Sequence, residues 1–129
     1  MDILIRYGFS IEEIKDMMDT NEEIESISDN RILELISILT SLGCHEEHIM
    51  NIFCCNPFCL SRDITSINML ISKLKEKGFC NINILLDTNP YLLNLNDVDI
   101  DSIFLRREKD GLTIEEIIDY FNNNIILEG

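Results

Sequence analysis

The sequence predicts an all-α fold of the solenoid type, in which similar helix pairs follow one another along the chain. Three observations carry this prediction. Gly8, Gly43 and Gly78 lie 35 residues apart. Two asparagine-proline pairs, Asn56-Pro57 and Asn89-Pro90, interrupt the segments between glycines, and apolar residues elsewhere recur at helical spacing. A period of this length is the signature of helical repeat proteins.

The glycine spacing divides the chain into three repeats and a partial fourth, which together form one predicted domain of residues 1–129. The repeats are residues 8–42, 43–77, 78–110 and, in part, 111–129. We expect about three and a half helix-pair repeats of 33–35 residues, each with two α-helices and a short 3-10 turn. The sequence does not distinguish a right-handed from a left-handed superhelix. The apolar start, Ile3 to Ile5, is expected to be the end of a preceding helix.

Each repeat is predicted to begin with a short helix that starts two residues after the glycine. A glycine just past a helix takes positive φ at no steric cost and so ends it. Ser10 with Glu13, and Thr113 with Glu116, have the spacing of a capping box. The predicted first residues are Ser10, His45, Cys80 and Thr113.

Asparagine marks the predicted end of each short helix, at Asn21, Asn56 and Asn89. A proline follows the second and third of these, and the residue before proline is disfavoured in the α conformation. The chain must therefore turn there, and we expect a 3-10 turn around Cys59-Leu60 and around Leu92-Leu93.

A longer helix follows each turn, at residues 29–42, 63–77 and about 97–109, and a last helix runs from 114 to about 122. The buried face of the first two long helices is predicted by apolar residues that match at the 35-residue period: Ile32 and Ile67, Leu35 and Leu70, Ile36 and Ile71, and Leu39 and Leu74. Ile125-Ile126-Leu127 is expected to pack back on the last repeat.

This pattern resembles the repeats of the mitochondrial transcription terminator family over residues 8–126. The matching residues are Leu42-Gly43-Cys44, Ile49, Asn56-Pro57, Leu60, Leu70, Leu74, Gly78-Phe79, Asn89-Pro90 and Leu92-Leu93. The resemblance implies a left-handed superhelix of triangular repeats. It also implies nucleic-acid binding along a concave basic face, in transcription, replication or organellar RNA processing.

The charge of the chain opposes that activity. The formal net charge is -14, from 24 acidic and 10 basic residues, whereas phosphate binding needs clustered lysine and arginine. Residues 1–35 and 78–129 each carry a net charge of -7, and the middle is neutral. Without a predicted export signal or membrane span, we expect an intracellular, soluble, cytoplasmic protein with reduced cysteines.

Two acidic groups are candidate sites, either as solvated surfaces or for recognising a basic protein by complementary charge or by mimicry of nucleic acid. The candidate protein-binding face is Glu12, Glu13, Asp16, Asp19, Glu22, Glu23 and Glu25. The second group is Asp97, Asp99, Asp101, Glu115, Glu116 and Asp119.

The basic residues cluster near the ends of two long helices, where cations complement the helix dipole. The alternative is a small phosphate-contacting patch. The candidate nucleic-acid contacts are Lys73, Lys75, Lys77, Arg106, Arg107 and Lys109.

A metal site is not predicted, although His45, His48, Cys44, Cys54, Cys55 and Cys59 are close in sequence. The repeat alignment places Cys44 at the apolar position of Phe9, and Cys59 at that of Ile24. The chain has no CxxC pair, no phosphate-binding glycine loop and no paired-carboxylate motif. We therefore expect no cofactor and no enzymatic activity.

The predicted function is that of a non-enzymatic binding module. The favoured form is an acidic α-solenoid that binds a protein partner as an adaptor or inhibitor, with a nucleic-acid-binding protein as the best-fitting target. The alternative is a small terminator-like protein that binds nucleic acid and regulates transcription. The partner's identity and the oligomeric state stay open.

Overall fold

The computed structural model describes residues 2–123, and this part of the chain is helical without a β-strand. The α-helices are α1 (Asp2–Tyr7), α2 (Ile11–Thr20), α3 (Asp29–Ser41), α4 (Glu46–Cys55), α5 (Ile64–Lys77), α6 (Ile82–Thr88), α7 (Asp97–Lys109) and α8 (Ile114–Asn123). The 3-10 helices are η1 (Glu22–Ser26), η2 (Pro57–Ser61) and η3 (Pro90–Asn94). The all-α prediction is confirmed. None of the helices between residues 2 and 123 has the length and hydrophobicity needed to cross a bilayer.

Most of the predicted starts and ends of the helices are confirmed. All four glycines of the repeat have positive φ, as a helix stop requires. At Gly78, φ is 111° and an added Cβ would lie 3.2 Å from Ile118 Cδ1, so both conformation and space favour glycine. The predicted helix starts at Ser10 and His45 are the N-caps of α2 and α4.

The predicted helix start at Cys80 is wrong. The N-cap there is Asn81, and α6 begins at Ile82. The repeat is two residues shorter here, and the missing residues come from the start of the helix. Cysteine is also a weak hydrogen-bond acceptor and a poor N-cap, and the Cys80 thiol donates instead to the carbonyl of Gly78, at 3.6 Å.

Two compact units make up the chain, and the first spans Met1–Arg62. Within it α1 packs on α3, α2 packs on α4, and η1 packs on η2. The core includes Phe9 and Phe53, whose rings stack with centroids 6.1 Å apart. Cys44 and Cys59 are buried, at the apolar positions that the repeat alignment assigns to them.

The second unit spans Asp63–Gly129. Within it α5 packs on α7, α6 packs on α8, and α7 packs on α8. Three mutually packed phenylalanines, Phe79, Phe104 and Phe121, lie in its core with ring centroids 5.6–6.2 Å apart. The prediction for Ile125-Ile126-Leu127 lies outside the described residues.

Buried asparagines end the three short helices, and two of them bond to segments distant in sequence. Asn21, Asn56 and Asn89 are the C-caps of α2, α4 and α6, and all three are buried. The side-chain amide of Asn21 donates to the Pro57 carbonyl at 3.1 Å, and that of Asn89 donates to the Phe121 carbonyl at 2.7 Å. Each of these two side chains thus satisfies a backbone acceptor more than 30 residues away in sequence.

Candidate functional site

The candidate acidic face lies on α2 and η1, and one of its seven residues has a structural role. Glu13 Oε1 accepts a hydrogen bond from the Ser10 backbone at 2.9 Å, while the Glu13 backbone donates to Ser10 Oγ at 3.1 Å. The hydrogen bond from the Ser10 backbone holds the pKa of Glu13 below its ordinary value. Glu13 also accepts a weak hydrogen bond from Cys54 Sγ on α4, at 3.8 Å. Glu13 therefore caps α2 and contacts α4.

The remaining acids of α2 form one exposed stripe. Glu12, Asp16 and Asp19 are spaced four and three residues apart, which places them on one face of a helix. Ile14 and Met17, on another face, are buried in the core. The stripe is therefore turned away from the packed side of the helix, and all three of its residues are exposed.

The acids of η1 surround one buried anchor. Ile24 is fully buried, whereas Glu22, Glu23 and Glu25 are exposed. The backbone of Glu23 donates to Asn21 Oδ1 at 3.2 Å, so a buried side chain fixes the start of this 3-10 helix. The sequence places three carboxylates here, and the structure presents all of them to solvent.

None of these six carboxylates forms an ion pair within residues 2–123. We call them the acidic surface: Glu12, Asp16, Asp19, Glu22, Glu23 and Glu25. Asp19 lies in the last turn of α2, where the helix dipole disfavours an anion and where no basic residue compensates. The negative charge of this surface is therefore left without an ion-pair partner among residues 2–123.

The second acidic group has a different character, because much of it is engaged in local structure. Asp99 Oδ2 accepts from the Asn96 backbone at 2.8 Å, and Glu116 Oε1 accepts from the Thr113 backbone at 3.1 Å. Asp101 pairs with Lys77 at 3.0 Å and with Lys73 at 3.1 Å. These carboxylates cap helices or bridge α5 and α7.

The candidate basic residues divide between internal pairs and helix ends. Lys73 and Lys77 hold Asp101, and Lys77 Nζ also lies 5.2 Å from the centroid of the Phe104 ring. Arg107 lies over the Tyr120 ring at 4.8 Å. The cations in the last helical turns, where they complement the dipole, are Lys75, Lys77, Arg106, Arg107 and Lys109.

Replacing Asp101 with asparagine is expected to destabilise the protein near neutral pH but not in acid. Hydrogen bonds from two lysines hold the pKa of Asp101 below its ordinary value of 3.8, and the bond from Lys77 has a larger effect than the bond from Lys73. A carboxyl with a lowered folded-state pKa stabilises the fold above its unfolded value and loses that contribution as pH falls through the folded one. Urea unfolding of both proteins from pH 7 down to pH 2 measures this.

The difference in free energy of unfolding between wild type and Asp101→Asn should be largest at neutral pH and should vanish near pH 2. Glu108→Gln changes an exposed carboxylate later on the same helix and serves as control. A difference for Asp101→Asn that persists unchanged into acid would show that the variant acts through something other than these ion pairs.

His48 and the buried cysteines occupy positions that have structural equivalents in the other repeats. His48 takes the position of Glu13, and its Nδ1 accepts from the His45 backbone at 3.4 Å. Burial raises the pKa of the Cys59 thiol to about 12 and that of Cys54 to about 11, where Glu13 adds to the effect. In the part of the chain that the structure describes, no three His, Cys, Asp or Glu side chains converge as metal ligands would.

Sequence analysis missed an exposed aromatic ring on η2, the 3-10 helix that packs on η1. Phe58 is 50 % exposed on η2, although Pro57, Cys59 and Leu60 around it are buried. Its repeat equivalent, Tyr91 on η3, is 43 % exposed. The signal in the sequence was an aromatic residue directly after each Asn-Pro pair, which alone does not show which way the ring points.

Comparison with known proteins gives no match. No protein-family model matches the chain, and neither does any curated protein sequence or solved structure. The resemblance to mitochondrial transcription terminator repeats therefore stays a prediction.

Proposed function

We propose that this chain is a non-enzymatic binding module whose acidic surface on α2 and η1 recognises a basic protein. The observation that carries the proposal is that the six carboxylates of this surface are exposed without an ion pair among residues 2–123. Several acids of the second unit, by contrast, are engaged with lysines or helix ends. A surface with unbalanced negative charge attracts a positively charged partner and speeds their association at low salt.

The scaffold of this module, in our proposal, is an α-solenoid of three and a half repeats. The element order supports it, since a short helix, a 3-10 helix and a longer helix follow one another three times before α8. The packing within each unit also supports it. Equivalent elements contact each other, as α2 does α4 and η1 does η2 in the first unit, and as α5 does α7 in the second.

Reversal of charge on η1 tests the proposal. The variant carries Glu22→Lys, Glu23→Lys and Glu25→Lys, and the probe is a fluorescein-labelled oligoarginine peptide followed by anisotropy at low and near-physiological salt. We expect the wild type to bind with an affinity that falls as salt rises. The variant should bind at least about tenfold more weakly, which corresponds to about 1.4 kcal/mol.

A matched control reverses three exposed acids of the second unit: Glu108→Lys, Asp110→Lys and Asp119→Lys. The change in formal charge is the same, so a non-specific field effect would weaken both variants equally. We expect the affinity of the control variant for the peptide to fall by less than about threefold. Equal loss in both variants, or no loss in the η1 variant, would contradict the proposal.

The nucleic-acid alternative is decided in the same assay. Labelled duplex DNA, single-stranded DNA and RNA replace the peptide, and the chain's charge predicts no binding at near-physiological salt. Salt-sensitive binding that is lost when Lys75, Arg106 and Lys109 are changed to alanine would favour the terminator-like function instead.

A further inference from the structure

The aromatic ring of Phe58 is half-exposed on η2, and within residues 2–123 no cation covers it. The chain elsewhere places cations over its own aromatic rings: Lys77 lies over Phe104 at 5.2 Å, and Arg107 lies over the partly exposed Tyr120 at 4.8 Å. A ring attracts a cation to its face through its quadrupole, most strongly when the pair is shielded from water. Phe58 has an exposed ring without such a cation in the part of the chain that the structure describes.

The position of Phe58 is fixed relative to the acids of η1. The side chain of Asn21 accepts from the Glu23 backbone at 3.2 Å and donates to the Pro57 carbonyl at 3.1 Å. It also donates to Ser61 Oγ at 2.6 Å. One buried amide group therefore links the backbone that carries Glu23 to the backbone that carries Phe58.

The element that packs on η2 carries three negative charges. η1, with the exposed carboxylates of Glu22, Glu23 and Glu25, packs directly on η2. A lysine or arginine side chain that bridges η1 and η2 would meet carboxylates on the first and an aromatic face on the second. Arginine fits better than lysine, because its planar guanidinium stacks on a ring while its edge donates to a carboxylate through two parallel hydrogen bonds.

We propose that Phe58 and the η1 carboxylates form a docking point for an arginine side chain of a basic protein partner. The guanidinium stacks on the Phe58 ring, and its N–H groups donate to carboxylates of η1. This inference rests on the proposed function and names the chemistry that the acidic surface recognises. Charge complementarity selects the occupant, since the three carboxylates disfavour an acidic or purely apolar segment.

Phe58→Leu is the principal test, because leucine keeps apolar bulk on η2 but removes the aromatic face. Labelled oligoarginine and oligolysine peptides are titrated against wild type and variant. We expect wild type to prefer oligoarginine, and Phe58→Leu to weaken oligoarginine binding by about threefold to tenfold. Oligolysine binding should change less, so that the preference for arginine is lost. Phe58→Trp should strengthen oligoarginine binding, since tryptophan is the best cation–π partner.

Tyr91→Leu is the matched control, since it removes an exposed aromatic ring from the equivalent position of η3. It should leave oligoarginine binding within about twofold of wild type. Equal thermal stability of the variants shows that any loss of affinity does not come from unfolding.

The outcomes separate this inference from the proposed function. If charge reversal on η1 weakens binding and Phe58→Leu does not, the acidic surface binds by charge alone and the arginine docking point is wrong. If Phe58→Leu and Tyr91→Leu weaken binding equally, the site is not at Phe58. If neither peptide binds the wild type at low salt, the proposed function and this inference both fail.

Discussion

Replacing Leu70 with alanine is expected to lower the free energy of unfolding by about 2–5 kcal/mol. Leu70 is fully buried on α5, the helix that packs on α7 within the second unit. The substitution removes apolar contacts and leaves a cavity that the rigid neighbours fill only in part. The total stability of small proteins is commonly about 5–15 kcal/mol, so this loss is a large fraction of it. Urea unfolding followed by circular dichroism measures the change.

Met69→Ala is the control for this prediction, because it alters the adjacent residue on the same helix. Met69 is 49 % exposed, and surface substitutions usually change stability by less than about 0.5 kcal/mol. Similar losses at both positions would mean that the face of α5 that we describe as buried is not the one that packs. Leu74, which is also fully buried, should behave as Leu70 does.

The positions of the helices were largely predictable because the repeat supplies each signal several times. Glycine with positive φ and asparagine at the end of the short helix recur in every repeat, so a weak local signal at one position is supported by its equivalents. The first repeat lacks the proline, yet η1 forms at Glu22–Ser26 all the same. Asparagine is therefore the common element, and Asn21 caps η1 by accepting from the Glu23 backbone.

The start of α6 was not predictable by the same reasoning. Equivalence to Ser10 and His45 placed Cys80 at the helix start, but the two-residue deletion had no marked position in the sequence. The structure places it before Ile82, so that Asn81 becomes the N-cap. Repeat spacing predicts which elements exist, whereas local hydrogen bonding decides where each begins.

The acidic residues of the site were predictable as a group, but their separate roles were only partly so. The capping-box spacing of Ser10 and Glu13 already indicated that Glu13 has a structural role, and the structure confirms that role. The pairing of Asp101 with Lys73 and Lys77 depends on the contact between α5 and α7, which no local pattern specifies. Charge is visible in a sequence, whereas compensation of charge depends on tertiary packing.

Replacing Asn89 with alanine is expected to lower the free energy of unfolding by about 1–3 kcal/mol. The Asn89 side chain is fully buried and donates to the Phe121 carbonyl at 2.7 Å. Phe121 is itself fully buried on α8, so this hydrogen bond lies away from water. Alanine would remove the donor of this buried hydrogen bond, which costs more than the loss of a hydrogen bond that water can replace. Thermal and urea unfolding of Asn89→Ala measure the loss.

Asn94→Ala provides the control, since Asn94 is an exposed asparagine at the end of η3. Its free energy of unfolding should differ from that of the wild type by less than about 0.5 kcal/mol. Asn89→Asp distinguishes the lost donor from the lost volume, because aspartate keeps the size but cannot donate when ionised. If packing alone mattered, Asn89→Asp would be near wild type. If the amide donor matters, the buried charge facing a carbonyl makes this variant less stable than Asn89→Ala, and raising the pH from 4 to 7 should widen the gap between them.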